Sequence, residues 1–277
     1  MKNIWMKLIP AVLAAAMLAT GLAACGNGTS TASGTSSAPK LTATAGVLKL
    51  GFDPEFPPMG FRENGQYKGF DIDMATEVCK RLGWKLTPVP INWDNKVQLL
   101  NDGTIDCVWN GFTIDSELKK QVLYSEPYMD NAQALFVLDS SPYKSKADLK
   151  GKVVATQQGS SSVKALNADP EFKASVKPNT SYTDFVKAMA ALDAGQAQAL
   201  LMDETMANYQ IKKLSKPYRA LPEKMASEQY GIGFKLGNTA LKDKIEAQLG
   251  AMVDDGTVAT ISTKWFGKDV TAGILPK

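Results

Sequence analysis

Two extended apolar runs constrain this chain more than any other feature. The first is Ala132-Gln133-Ala134-Leu135-Phe136-Val137-Leu138, and the second is Gln229-Tyr230-Gly231-Ile232-Gly233-Phe234. They bracket a block whose grammar repeats that of the block before it. Ahead of the first run, Val47–Phe52 reads as a strand. Ile72, Ala75, Cys79 and Leu82 then recur at helical spacing, with Asp71 as candidate cap and Gly83 as stop. Lys85–Val89 is the next strand, Val97–Leu100 sits in a helix ended by Gly103, and Ile105–Trp109 is a third strand. Between the runs, Gly151 precedes a strand over Lys152–Thr156, and Gln157–Ser162 leads into a helix. Phe185, Met189 and Leu192 mark another helix, stopped by Gly195, before the strand Ala197–Met202. This alternation calls for two mostly parallel sheets with helices on their faces. A chain that leaves one such unit and returns to it needs two crossings, and the two extended runs supply them. The expected fold class is therefore α/β, with one lobe from 46–134 plus 231–270, a second from 135–230, and a tail over 271–277. A cleft between two lobes on a two-strand hinge is a natural ligand site.

Candidate site residues stand where strands end. The stretch Cys107-Val108-Trp109-Asn110-Gly111-Phe112-Thr113 begins as a strand, is expected to break at Gly111 into a polar turn, and ends on a hydroxyl. Backbone N–H groups and a hydroxyl exposed there suit a small anionic group. Asp115 or Ser116 is placed to cap the short helical run that carries Lys119 and Lys120. In the second block, Gly159–Ser162 opens a helix whose first N–H groups form an anion site with about +0.5 charge. Asp203 follows an apolar strand, which aims its carboxylate at the cleft. Plain helix capping competes for the Gln157–Ser162 turn and for Asp203, and core packing competes for Phe56, Trp93 and Phe112.

The N-terminal segment belongs to targeting. Lys2 and Lys7 lead into an apolar run from Leu8 to Leu22, which reads as a signal peptide over 1–24. Leu22-Ala23-Ala24-Cys25 resembles the lipobox of bacterial lipoproteins, which makes Cys25 the expected site of diacylglycerol and palmitate attachment. Residues 26–45 are Ser, Thr, Gly and Ala with almost no charge or bulk, a tether of roughly twenty residues that cannot bury a core. The net charge of +3 includes Lys2 and Lys7, and no basic block suggests nucleic acid. The chain has no histidine, which removes the usual general base, Ser-His triads and histidine metal sites. No Cys/His/Asp cluster has metal-ligand spacing, and no cofactor is implied. Export permits a disulfide between Cys79 and Cys107, and two buried inert thiols are the favoured reading.

Six pieces in order resemble one family: Gly69-Phe70-Asp71-Ile72-Asp73, Ile105–Thr113, Tyr124-Ser125-Glu126-Pro127-Tyr128, Asp148–Val154, Gln229-Tyr230-Gly231-Ile232 and Lys264-Trp265-Phe266-Gly267. From Val47 to Gly267 the chain is similar to bacterial extracellular solute-binding proteins of family 3, the amino-acid-binding components of ABC importers. The resemblance implies a type II periplasmic-binding-protein fold closing on one small ligand, a monomer, an ABC permease as partner, and an extracytoplasmic place on the cell membrane through the lipid. Carried over residue by residue, it implies first-loop contacts from Asp53 and Phe56, an aromatic position at Trp93, and a lobe 1 polar turn of Asn110, Gly111 and Thr113. It implies a lobe 2 turn of Gln157, Gly159, Ser160 and Ser161, and an ammonium-binding acid at Asp203.

One family feature is missing. Relatives that bind α-amino acids usually place an arginine four or five residues after the turn threonine, where it grips the carboxylate with two parallel hydrogen bonds. Here Glu117 and Leu118 stand there, with Lys119 and Lys120 following. Three readings stay open: Lys119 serves as a point charge, backbone N–H groups of both lobes suffice, or the ligand is a cation with no carboxylate at that place. Asp53, Glu55, Asp94 and Asp203, interleaved with aromatic residues, suit the last through charge pairing and cation–π contact. Two other functions share the fold: a cyclohexadienyl-dehydratase-like enzyme using Glu117 or Glu204 as acid, and a sensory module.

Overall fold

The computed structural model describes residues 46–275; the expected leader, Cys25, the tether and the last two residues lie outside that range. The first block runs β1 (Val47–Phe52), a small antiparallel sheet of β2 (Glu55–Phe56), β3 (Gly60–Glu63) and β4 (Gln66–Lys68), then α1 (Phe70–Leu82), β5 (Lys85–Pro90), α2 (Lys96–Asn101) and β6 (Cys107–Thr113). A short β7 (Val122–Tyr124) precedes the crossing strand β8 (Met129–Leu138). The second block runs β9 (Val153–Gln157), α3 (Ser161–Ala168), α4 (Pro170–Ser175), β10 (Lys177–Tyr182), α5 (Phe185–Asp193), β11 (Ala199–Asp203) and α6 (Glu204–Leu214). The long strand β12 (Tyr218–Lys235) returns, and α7 (Thr239–Asp254) and α8 (Thr257–Phe266) follow.

The main sheet has the order β10-β9-β11-β8-β12-β6-β1-β5, with β7 also paired to β12. Its two ends are parallel: β1 lies between β5 and β6, and β9 between β10 and β11. The centre is antiparallel, because β8 and β12 pair with each other and each turns its other edge to one block. The expected lobe limits, 134/135 and 230/231, fall inside these two central strands. Both faces of β6, β9 and β11 are covered, which is why they read as nearly continuous apolar runs, whereas the edge strands β5 and β10 stay partly exposed. In β6, Cys107 and Trp109 join one core cluster while Val108 and Phe112 join another; in β11, Leu200 and Met202 part from Ala199 and Leu201 in the same way.

Two local expectations change. Gly69, not Asp71, sits at the N-cap of α1, and Asp71 is buried inside the first turn. The strand β6 does not break at Gly111; it runs on to Thr113 with Gly111 at φ +55°. Asp115 does cap its short helical turn, accepting from the N–H groups of Glu117 (2.9 Å) and Leu118 (2.8 Å). Cys79 and Cys107 are free and buried, and burial pushes the Cys79 thiol up to about 11. Among the described residues, no helix is long and apolar enough to cross a membrane.

Candidate functional site

A small cavity of about 20 Å³ lies where the C-terminal ends of β1 and β6 meet those of β9 and β11. Asp53, Phe56, Trp93, Asn110, Gly111, Thr113, Gln157, Ser160, Ser161 and Asp203 line it, together with Phe185. Of the positions that the resemblance assigns, Gly159 alone is not on the wall; Glu55, Asp94 and Phe112, offered for a cationic ligand, do not line it either. Gly159 stands at the seam beside the cavity, at φ +66°, where an added Cβ would lie 2.6 Å from Asp94 Oδ1.

On the first wall, Asp53 ends β1 and is held on both oxygens: Oδ1 accepts from the Glu55 N–H (2.9 Å) and Oδ2 from Gln157 Nε2 (2.7 Å). Burial raises its carboxyl to about 6. The Asp53 N–H donates to Asn110 Oδ1 (3.0 Å), which fixes the amide and leaves Asn110 Nδ2 buried without a protein partner. The Gly111 N–H is not offered to the cavity. The left-handed backbone turns it onto buried Asp71 Oδ2 (2.7 Å) and the Tyr128 hydroxyl (3.2 Å), so the anion cradle expected at Gly111 is absent.

On the second wall, Ser160 is the N-cap residue of α3 but its side chain makes no cap bond, donating instead to the Gln157 carbonyl (2.8 Å). Gln157 Nε2 also donates to the Thr183 carbonyl (3.1 Å). Asp203 occupies the N-cap position of α6, again with no side-chain cap bond. Its Oδ1 accepts from Asn131 Nδ2 (2.8 Å), Gln133 Nε2 (2.8 Å) and the Tyr230 hydroxyl (2.7 Å). Burial first, and the Glu228 charge second, hold its carboxyl far above the usual carboxylate range. The capping role weighed for both turns is thus not what these side chains do.

Aromatic faces complete the cavity. Phe56 packs against Phe185 from the opposite wall (centroids 5.9 Å apart), and Trp93 meets Phe112 edge to face at 5.7 Å. The walls also touch beyond the cavity. Gln158 Nε2 donates to Asp94 Oδ2 (2.9 Å), Lys96 Nζ to the Gly159 carbonyl (3.0 Å), and Lys164 pairs with Asp115.

The lining holds two carboxyl groups and no lysine or arginine. Glu117 is exposed and paired with Lys120 (2.7 Å), and neither Lys119 nor Lys120 reaches the wall. The nearest buried cation is Lys96, whose Nζ donates to the Trp93 carbonyl (3.1 Å) and lies 5.0 Å from the Trp93 ring centre. Burial lowers its ammonium to about 8.

Two features of the site escaped sequence reasoning. Phe185 was assigned to a core stripe, and α5 turns it to both core and cavity. Glu228, with Asn131 and Gln133, forms a polar cluster behind Asp203. The period of two along a strand was the available signal, since it puts Glu228 and Tyr230 on one face of β12 and Asn131 and Gln133 on one face of β8.

Comparison with known proteins bears on family and fold. The sequence model of bacterial extracellular solute-binding proteins, family 3, matches residues 48–268. The L-cystine-binding protein TcyJ of Escherichia coli (strain K12) is 31% identical over 229 residues, covering 82% of this chain and 85% of that one. A histidine-bound ABC uptake transporter substrate-binding protein from Streptococcus pneumoniae superposes with a TM-score of 0.79 at 35% identity, covering 82% of this chain and 94% of its own. An ancestral arginine-binding protein with bound arginine gives 0.74 at 38% identity, covering 80% and 99%. The fold is the type II periplasmic-binding-protein fold, two α/β lobes joined by β8 and β12.

Proposed function

The chain belongs to the bacterial extracellular solute-binding proteins of family 3, and from that premise we propose that it is the lipid-tethered capture component of an ABC importer, closing its lobes on one amino acid that carries a cationic side chain. The observation that carries the choice of ligand is the cavity wall, which combines Asp53 and Asp203 with Phe56, Trp93 and Phe185 and has no base. Asp203 takes the α-ammonium. Asn110 Nδ2, the Thr113 hydroxyl and the N–H groups at the start of α3 take the carboxylate, each hydrogen bond to the charged group contributing about 1.5–3 kcal/mol. Asp53 and the aromatic faces take the side-chain cation. Two structures alike in fold and above 30% in identity hold histidine and arginine, which supports this class.

A second reading has its own observation. The Gly111 N–H is spent on Asp71 and no cation lines the wall, so a cationic amine without a carboxylate also fits. An enzymatic role draws less support. The relatives named above are binding proteins, and of the two acids weighed for it, Glu117 is exposed while Glu204 pairs with Lys224 outside the cavity (3.0 Å).

Thermal-shift screening of the tether-free protein against amino acids, polyamines and betaines tests the proposal. A ligand at a hundredfold excess over Kd adds about 2.7 kcal/mol. Arginine, lysine or histidine should raise the melting temperature while acidic amino acids should not. A response to polyamines or betaines alone would select the second reading, and a flat panel would dismiss both. Lipidation is tested separately: labelled palmitate should enter the wild-type chain in its host and not Cys25→Ala, which should leave the membrane fraction.

A further inference from the structure

Behind the cavity wall, β11, β8 and β12 lie side by side, with Asp203 opposite Gln133 and Asn131 opposite Glu228. Both amides bridge two acids. Asn131 Nδ2 donates to Asp203 Oδ1 (2.8 Å) and to Glu228 Oε1 (2.6 Å), and Gln133 Nε2 donates to the same two oxygens, each at 2.8 Å. Neither amide is free to flip. Asn131 Oδ1 accepts from the Thr205 N–H (3.3 Å) and hydroxyl (2.9 Å), and Gln133 Oε1 accepts from the Ser162 hydroxyl. Two carboxyl oxygens are therefore held within the span of two hydrogen bonds. Among the described residues no lysine or arginine joins them, and Asp203 is 4% exposed.

The other charged groups around the pair do not neutralise it. On α6, Glu204 takes Lys224 of β12 as its partner; along the groove that Glu228 shares, Lys164 of α3 is spent on Asp115. Asp130 of β8 and Asp53, just after β1, add negative charge, and the Tyr230 hydroxyl donates a hydrogen bond to Asp203. Asp203 is buried and Glu228 half-buried, and the Glu228 charge this close adds to the cost of ionising Asp203, which favours a proton retained in the cluster.

We propose that Asp203 and Glu228 act as one acid pair that holds a single proton in the ligand-free cleft and releases it to solvent when a cationic group of the ligand reaches Asp203. Glu228 is then a positioning residue: it lies outside the cavity lining and sets the pH dependence of capture through the shared amides. Because every member sits on β8, β11 or β12, the cluster does not need the lobes to be closed. The proton also has a way out, since Glu228 lines two open grooves on the outer side of the hinge strands. Acid favours the protonated pair and so competes with the cation, and affinity falls as pH falls. The proton-release half rests on the cationic-ligand reading given above; the shared proton does not.

Two measurements separate those halves. Carboxyl carbon NMR of the ligand-free protein follows Asp203 through its titration, in the wild type and in Glu228→Gln. The variant is expected to lower the Asp203 midpoint by at least about one pH unit; an unchanged midpoint would overturn the pair. Calorimetry with L-arginine in buffers of different ionisation heat counts protons on binding at pH 7. The wild type should release most of one proton and lose affinity about tenfold per pH unit on the acid side of the midpoint. Glu228→Gln should release less than half as much and show a flatter profile, while Glu228→Asp, which keeps the charge, should behave like the wild type. Tight binding without proton release would overturn the proposal and leave the ligand reading intact. No binding of L-arginine, with the titration as expected, would sink the ligand reading and the release half together. Should Glu228→Gln not fold, the wild-type proton count and the Glu228→Asp profile still decide.

Discussion

Gly111 decides much of the chemistry of this cleft with one backbone angle. At φ +55° its N–H turns down to Asp71 and Tyr128 rather than out to a ligand, and Phe56 and Tyr230 fill the space where a side chain would start. Alanine there would place its Cβ 2.9 Å from Phe56 in a conformation that side chains avoid. Gly111→Ala should therefore cost about 1–3 kcal/mol in urea unfolding and weaken binding, because Phe56 has to move off the wall. Asp203→Ala tests the opposite wall. Losing a charged hydrogen bond of about 1.5–3 kcal/mol should weaken the ligand by at least about tenfold while the protein stays folded. A mutant that binds like the wild type would remove Asp203 from the site. Residues at strand ends, such as Asp53, Asn110 and Asp203, were legible because sequence order alone puts a polar group after an apolar strand. Asp71 was not. It looks like a cap, but α1 begins one residue before it, and only the folded chain brings β6 over its carboxylate.

At the scale of elements, the alternation of strand and helix was legible for the same reason in both blocks: buried parallel strands are continuous apolar runs, and glycine stops such as Gly83 end helices. The length of β12 was not. Its N-terminal half carries Pro222, Glu223 and Lys224, and its pairing with β8 shifts register between Ala220 and Lys224 and again before Ala226, so no period of two survives there. The small sheet β2-β3-β4 was not legible either, because Pro54, Pro57 and Pro58 interrupt any period of two where it starts. Contacts between blocks were beyond reach altogether, and Lys96 is the clearest case. From the start of α2 it crosses to the Gly159 carbonyl while its ammonium lies over the Trp93 ring, so it latches the lobes without entering the cavity. Lys96→Met keeps the packing and removes the latch. Ligand release, followed by stopped flow, should quicken several-fold with little change in the association rate. Stability should hold or rise, because a partly desolvated cation has been replaced by an apolar chain of similar length. An unchanged release rate would show that the latch does not hold the closed lobes together.

For the whole molecule, the buried acids make stability depend on pH in an unusual direction. The carboxyl groups of Asp53 and Asp71 are raised by burial from 3.8 to about 6 and about 7, and that of Asp203 is raised as well. Between the unfolded and folded values the native chain binds more protons than the unfolded chain, so stability is lost as pH rises through the folded values. Carboxyl groups nearer the surface that partners hold down, such as exposed Asp148 and half-buried Asp169, act in the opposite sense, but only as pH falls below about 4. Lys96 adds the other side of the curve. Its ammonium is lowered from 10.5 to about 8, so between those values the folded chain binds fewer protons than the unfolded one and stability recovers with rising pH. The ligand-free protein should therefore melt at progressively lower temperature from pH 5 to pH 8 and pass through a minimum near pH 8. Asp71→Asn, which has no carboxyl proton to lose, should make the falling limb shallower, and Lys96→Met should remove the recovery. Scanning calorimetry across pH 4.5–9.5 in matched ionic strength reads all three curves. A melting temperature that rises from pH 5 to pH 8 would mean that these carboxyl groups are ionised in the folded chain and that the site is more strongly hydrated than its burial implies.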